Sequence, residues 1–201
     1  MLKGEKVMLR GAASPDAEIV AGLYNRCVWR EKWELVRTAD IEKQLKEGKF
    51  EAPSHDWQLP KGPWFIVFEA ETMKALGYIH IPGVQAQRNA ARLKPYPDPA
   101  VPLDEEAWLE ALTLARDYLT GDCRMDRVTI SSAAGWDPLI PLYPKLGFNQ
   151  VGVFKSSLFV QGENVDQLQF EYVRPVPYPV TRVNLSDLSG AGGKPPRWDN
   201  G

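Results

Sequence analysis

A mixed α/β domain, with a central sheet flanked by helices and an extended arm at its C-terminus, is what this 201-residue sequence predicts. Three observations carry that expectation. Short runs rich in β-branched and aromatic residues alternate with stretches of helical periodicity, the pattern of a sheet covered by helices. Over 104–119 the residues Trp108, Ala111, Leu112, Ala115, Tyr118 and Leu119 recur at helical spacing, and Gly121 is the expected stop. From Pro175 the composition shifts to Pro175-Val176-Pro177-Tyr178-Pro179 and then to Ser189-Gly190-Ala191-Gly192-Gly193, which favour extended and flexible backbone in isolation. The predicted division is a folded domain over 1–174 and a Pro/Gly-rich arm over 175–201.

Each element follows in order. Residues 6–10 alternate in the manner of a strand. Ser14-Pro15-Asp16-Ala17-Glu18 reads as an N-cap, a proline at the first helical position and acids in the first turn. That helix should bury Ile19, Val20, Leu23 and Tyr24. A second helix starts near Thr38 and groups Ile41 with Leu45. Residues 50–62 read as a loop, and 64–69 and 76–81 as strands joined by a polar turn near 71–74. A further strand over 90–94 is expected to end at Pro95, Pro97 and Pro99. After the long helix come a strand over 127–131, a brief helix over 137–146 and a hairpin of 150–160 with 165–174.

Composition narrows the function classes. Hydrophobic content of 44% and charged content of 25% describe a globular chain. A net charge of −2, without a local Lys/Arg block, offers no footprint for nucleic acid. Cys27 and Cys123 lack metal-site spacing and make no disulfide framework, so they read as reduced, half-buried thiols. The opening Met1-Leu2-Lys3-Gly4-Glu5-Lys6 is too polar for a signal peptide, and no apolar run approaches a membrane span. The expected location is the cytoplasm, or a particle assembled inside the cell, with no membrane or nucleic-acid partner.

The stretch Leu142-Tyr143-Pro144-Lys145-Leu146-Gly147-Phe148 resembles the "LYxKLGF" ending found in GNAT acetyltransferases. Arg127-Val128-Thr129-Ile130 is similar to that family's fifth strand. The hairpin Phe159-Val160-Gln161-Gly162-Glu163-Asn164-Val165-Asp166 resembles the "FxxGxxxD" hairpin of its ribosomal-protein N-terminal acetyltransferase branch, and Leu9-Arg10 is compatible with that branch's first strand. The element order agrees over about 6–174. The resemblance implies a GNAT-like sheet, acetyl-CoA as cofactor, and Tyr143 as the acid that protonates departing coenzyme A thiolate.

The same resemblance exposes a departure. Family members hold the pyrophosphate on a glycine-rich "(Q/R)xxGx(G/A)" turn entering the third helix, because backbone N–H groups must approach the phosphates unobstructed. Aligning Glu110-Ala111-Leu112 with the family's "EAL" places this turn on Leu103, Asp104, Glu105, Glu106, Ala107 and Trp108, and no glycine occurs over 89–118. Asp104 suits an N-cap, and Glu105 and Glu106 suit the positive end of a helix dipole. Those carboxylates would oppose a pyrophosphate, and Arg88, Arg92 and Lys94 read as solvent-facing strand residues. Without a bound thioester, Tyr143 reads better as core beside Leu139, Leu142 and Leu146 than as a general acid.

Pro141 and Pro144 each remove a backbone donor, and Trp136 stands where the family often has asparagine. Candidate bases are Glu69, Glu71 and His80, each of which also reads as ordinary strand or turn chemistry. Trp64 reads as core, while Trp29, Trp33 and Trp57 are open between core, acceptor cleft and contact surface. The expected function is therefore a GNAT-fold binding or structural component of an assembly, a viral particle included, with no cofactor and no metal. Its arm would engage a protein partner or a second copy through Pro177, Tyr178, Pro179 and Trp198. The alternative is an active N-acetyltransferase holding acetyl-CoA by a divergent turn.

Overall fold

The computed structural model describes residues 1–29, 35–47, 63–82, 84–85 and 89–175. The chain opens with β1 (Leu2–Lys3) and β2 (Val7–Gly11), followed by α1 (Ala17–Arg26), α2 (Thr38–Glu47), β3 (Trp64–Glu69) and β4 (Ala75–His80). Short strands β5 (Val84–Gln85) and β6 (Ala90–Arg92) lead into β7 (Lys94–Pro97). Then come α3 (Glu105–Asp117), β8 (Arg127–Ala133) and the hairpin of β9 (Asn149–Val160) with β10 (Glu163–Val173). The predicted order is found, except that 137–146 forms no α-helix and the short strands β1 and β5 are additional.

The strands form two five-stranded sheets, ordered β1-β2-β3-β4-β7 and β5-β6-β8-β10-β9. Residues 90–97 belong to both. β6 runs parallel to β8, matching Ala91 with Val128, whereas β7 runs antiparallel to β4, matching Tyr96 with Tyr78. Leu93 is the crossover, donating to the Thr129 carbonyl at 2.8 Å. Beyond it β7 and β8 part company, and the chain is splayed there.

Burial explains the apolar runs. In β3, Phe65 and Val67 face one core with Trp108, Leu112 and Ile130, while Trp64, Ile66 and Phe68 face a second with Val20, Leu23 and Ile41. A strand covered on both faces loses the polar half of its alternation. Phe65, Ile66 and Val67 are accordingly all buried.

Four local expectations need correction. The strand over 90–94 does not end at Pro95 but continues through Pro97. Proline is tolerated there because its missing donor points away from β4. The helix over 137–146 is two separate 3₁₀ turns, Ile140–Leu142 and Pro144–Leu146, because Pro141 and Pro144 cannot donate to a continuous α-helical ladder. Gly147 then closes the segment in left-handed geometry, at φ 81°. Gly121 lies inside a wide turn following α3, in which Cys123 donates to Tyr118 at 3.0 Å, and does not terminate the helix. Ser14 makes no side-chain cap and Ile19 is exposed; Asp16 instead accepts from Ala13 N at 2.8 Å and pairs with Arg10.

Candidate functional site

The splay between β7 and β8 is the concave feature from which a site can be built. Its geometry follows from strand parity. In a ladder, the N–H and C=O of one residue point the same way, and successive residues alternate. Leu93 donates toward β8, and Asp98 donates back to Leu76 on β4 at 2.9 Å. Pro95 and Pro97 share the parity of Leu93, so their nitrogens face the splay. Both donors that β7 would offer there are deleted by proline. That edge presents carbonyls only. An extended amide chain, such as the pantetheine arm of coenzyme A, needs donors for its own carbonyls.

At the end of β7 the chain turns into α3 through residues 98–104. Asp98, 7% exposed, is held by Arg26 through two bonds of 2.9 and 2.7 Å, and its Oδ1 accepts from Ala100 N at 3.0 Å. Val101 N donates to the Asp98 carbonyl, and Asp104 Oδ1 accepts from both Glu106 N and Ala107 N at 3.0 Å. Trp108 N donates to the Asp104 carbonyl. Over 99–108, then, two amides are lost to Pro99 and Pro102, and five already donate within the protein.

The predicted cofactor turn is thus displaced. Asp104 is the N-cap of α3, and Glu105, Glu106, Ala107 and Trp108 are helix rather than turn. Glu105 pairs with Lys145 at 3.1 Å and Glu106 pairs with Lys6, both near the surface. Leu103 is partly exposed. Ala107 and Trp108 are core, so the expectation of an indole standing at a phosphate site does not hold. Trp108 packs beneath β4 against Gly77, whose φ of +152° and lack of a side chain make room for the indole. Glu110, one turn on, accepts from the backbone amides of Glu5, Lys6 and Val7 at 2.7, 2.8 and 2.9 Å. Burial pushes its pKa up, but these donors and Lys6 outweigh that and hold it below the usual value.

At the base of the splay lies a small cavity of about 30 Å³, bounded by residues that include Trp29, Lys94, Tyr96, Ser131, Asp137 and Gln167. Tyr143 approaches it only through another residue. The ring is fully buried, its hydroxyl donates to Asp137 Oδ2 at 2.7 Å, and Ser132 Oγ donates to that hydroxyl at 3.4 Å. Leu139 N donates to Asp137 Oδ1 at 2.9 Å. Burial raises the Asp137 pKa, with Ser132, the Leu139 amide and Tyr143 pulling against it. Burial and the neighbouring Asp137 drive the Tyr143 phenol well above its ordinary value. A phenol so placed is a poor proton donor to anything but Asp137.

The other candidates separate cleanly. His80 stacks on Trp64 at 3.9 Å between ring centroids, and burial with Lys94 nearby lowers its pKa to about 3, so it takes up no proton at neutral pH. Glu69 accepts from Thr72 at a turn, and Glu71 is exposed. Lys94 is buried, 8% exposed, contrary to the solvent-facing reading, whereas Arg92 is exposed as expected. Cys27 and Cys123 are fully rather than half buried. Trp64 is core, and Trp29 is half-buried and lines the splay. Arg88, Trp33, Trp57, Pro177, Tyr178, Pro179 and Trp198 lie outside the described residues.

Sequence reading singled out neither Asp137 as a partner of Tyr143, nor Glu110, nor the parity of Pro95 and Pro97. Only the last had a visible signal, the alternation of two prolines inside an apolar run. Among the described residues no cluster of His, Cys, Asp or Glu could hold a metal, and no helix is long and apolar enough to cross a membrane.

No family model and no curated protein matches the chain. Solved structures do. The ribosomal-protein-S5-alanine acetyltransferase from Vibrio fischeri aligns with a TM-score of 0.71 at 16% identity, covering 88% of this chain and 98% of that one. The spermidine/spermine N-acetyltransferase SpeG from Vibrio cholerae aligns with a TM-score of 0.66 at 16% identity, covering 84% and 92%. The fold is that of the GNAT acetyltransferases.

Proposed function

We propose that this chain uses the GNAT fold without acetyl-CoA-dependent catalysis, as a binding or structural component of a protein assembly. The observation that carries the reading is the occupied cradle. Where a pyrophosphate would need free amides and a positive helix end, Asp104 already takes two amides, and Glu105 and Glu106 add negative charge. The adjoining β7 edge has lost both donors to proline. The residues present therefore do not fit coenzyme A in the mode that the resemblance implies. Sites rather than folds carry function, so the acetyltransferase names of the structural neighbours do not transfer by themselves.

A second reading has one observation in its favour. Asp137 joins Tyr143 to the floor of the splay, the position where an acid for acetyl transfer to an amine would be needed. Calorimetric titration with acetyl-CoA, repeated with coenzyme A as competitor, separates the two. The expected result is no heat of specific binding. Micromolar binding abolished by coenzyme A would overturn the first reading.

A further inference from the structure

Past Leu93, β7 is held along one edge. The amides and carbonyls of Lys94 and Tyr96 share the parity of Asp98, so they face β4, where these residues are matched with His80 and Tyr78. On the other edge the bond from Leu93 to β8 is the last among the described residues, and Pro95 and Pro97 supply no donor beyond it. Whatever loosens the ladder between β4 and β7 therefore frees the strand. β7 also walls the cavity, through Lys94, Pro95 and Tyr96. Movement of β7 is movement of one side of that cavity.

The end of that ladder carries a protonatable group. His80 and Lys94 stand directly opposite each other, the last matched pair before the chain crosses at Leu93. On its other side His80 is matched with Trp64 of β3, and the two rings stack at 3.9 Å between centroids, 16° from parallel. A neutral imidazole suits this place. An imidazolium would lose hydration to burial and would face a second cation across the strand pair, an arrangement that weakens a ladder. We infer that His80 is an acid-sensitive latch: its protonation releases the start of β7 from β4 and opens the cavity between β7 and β8.

The elements packed around His80 bring no carboxylate to it among the described residues. β4 adds Tyr78 on the same face, β3 adds Trp64, and β7 adds Lys94 and Tyr96. α1 brings Tyr24 against Tyr96, and Arg26, which is closed on Asp98 at the far end of β7. α2 presents Ile41 and Leu45 to this core. Across the cavity, Asp137 is engaged by Tyr143 and the Leu139 amide. The indole of Trp64 attracts a cation and offsets part of the cost. Burial is the larger influence, Lys94 adds to it, and together they lower the imidazole pKa to about 3. In the opened segment it returns to about 6.5, so opening takes up a proton. The latch is therefore closed above the open-state value and weakens as pH falls toward the folded one, by up to about tenfold per pH unit.

The inference holds whether or not coenzyme A binds. The experiment is amide hydrogen exchange on the full chain, read residue by residue by NMR at about pH 7 and about pH 4.5 and expressed as protection factors, so that the intrinsic effect of pH cancels. The expected result is a fall of roughly tenfold to a hundredfold at the Lys94 and Tyr96 amides, with the β2–β3 ladder unchanged. His80→Gln should abolish the fall, and so should His80→Phe, which keeps a ring on Trp64. Lys94→Met, which keeps the stem and removes the charge, should reduce it. Equal protection of Lys94 and Tyr96 at the two pH values overturns the inference. So does a fall that persists in His80→Gln, a fall shared equally by every strand, or a His80 ring that titrates near its ordinary value in the folded parent.

Discussion

Tyr143→Phe distinguishes a phenol that holds the fold together from one that does chemistry. The substitution keeps the ring among Phe148 and Phe170 and removes only the hydroxyl. What is lost is the 2.7 Å bond to Asp137, together with the longer 3.4 Å bond from Ser132. A buried hydrogen bond to a charged group contributes about 1.5–3 kcal/mol, and one at 3.4 Å adds little. The expected cost is therefore about 2 kcal/mol, a fall in Tm of roughly 4–8 °C for a domain of this size.

The cost should also depend on pH. The Asp137 pKa is raised by burial, so its folded carboxyl binds protons more tightly than the unfolded one. Its contribution is fully favourable below the unfolded value and is lost as pH rises through the folded one. Removing the Tyr143 donor lifts the folded pKa further. The gap between variant and parent should then widen from about 1 kcal/mol below the unfolded carboxyl value, where the lost bond is to a neutral acid, to its full size above the folded one. Urea unfolding in the two pH ranges reads this directly. A variant as stable as its parent in both would refute the reasoning, and loss of acetyl transfer with stability intact would make Tyr143 a catalytic acid instead.

Glu110→Gln should cost about 1–2 kcal/mol at neutral pH, discounted from three charge-assisted bonds because two lie at the surface. The Glu110 pKa is depressed in the folded state, so its stabilisation is present above the unfolded value and lost as pH falls through the folded one; the gap between variant and parent in urea midpoint should close over that fall. Gly77→Ala should cost about 3 kcal/mol or more, since its Cβ would collide with the Tyr96 carbonyl, sit 2.9 Å from Pro97 Cα and the Trp108 ring, and occupy φ +152°. Thermal melts that differ by less than a few degrees would refute that packing.

The order of elements was legible because apolar periodicity is a local property; the long helix declared itself in that way, and so did the final hairpin, whose turn was expected over Gln161-Gly162-Glu163-Asn164 but is confined to Gln161-Gly162 because β10 begins at Glu163. Those two residues do adopt φ of 50° and 90°, as a two-residue turn requires. The empty glycine register before α3 was equally plain. Which residues form the turn was not, because Ala107 and Trp108 take their places from Gly77, thirty residues earlier in the chain. The Asp137–Tyr143 pair was hidden for the opposite reason. The two are six positions apart, but only the break in helix caused by Pro141 and Pro144 brings carboxyl and phenol together. The burial of Lys94 depended on the splay, which no local pattern encodes.

Parted strands are a hazard in any sheet, because an open backbone edge will accept whatever extended chain arrives. Pro95 and Pro97 disarm β7 in this respect. An intruding strand would find no hydrogen to bond at either position, and the pyrrolidine rings would hold it off. The two strands can thus stay apart beyond Leu93 without inviting aggregation, and restoring either amide alone would begin to make the edge attractive to other strands.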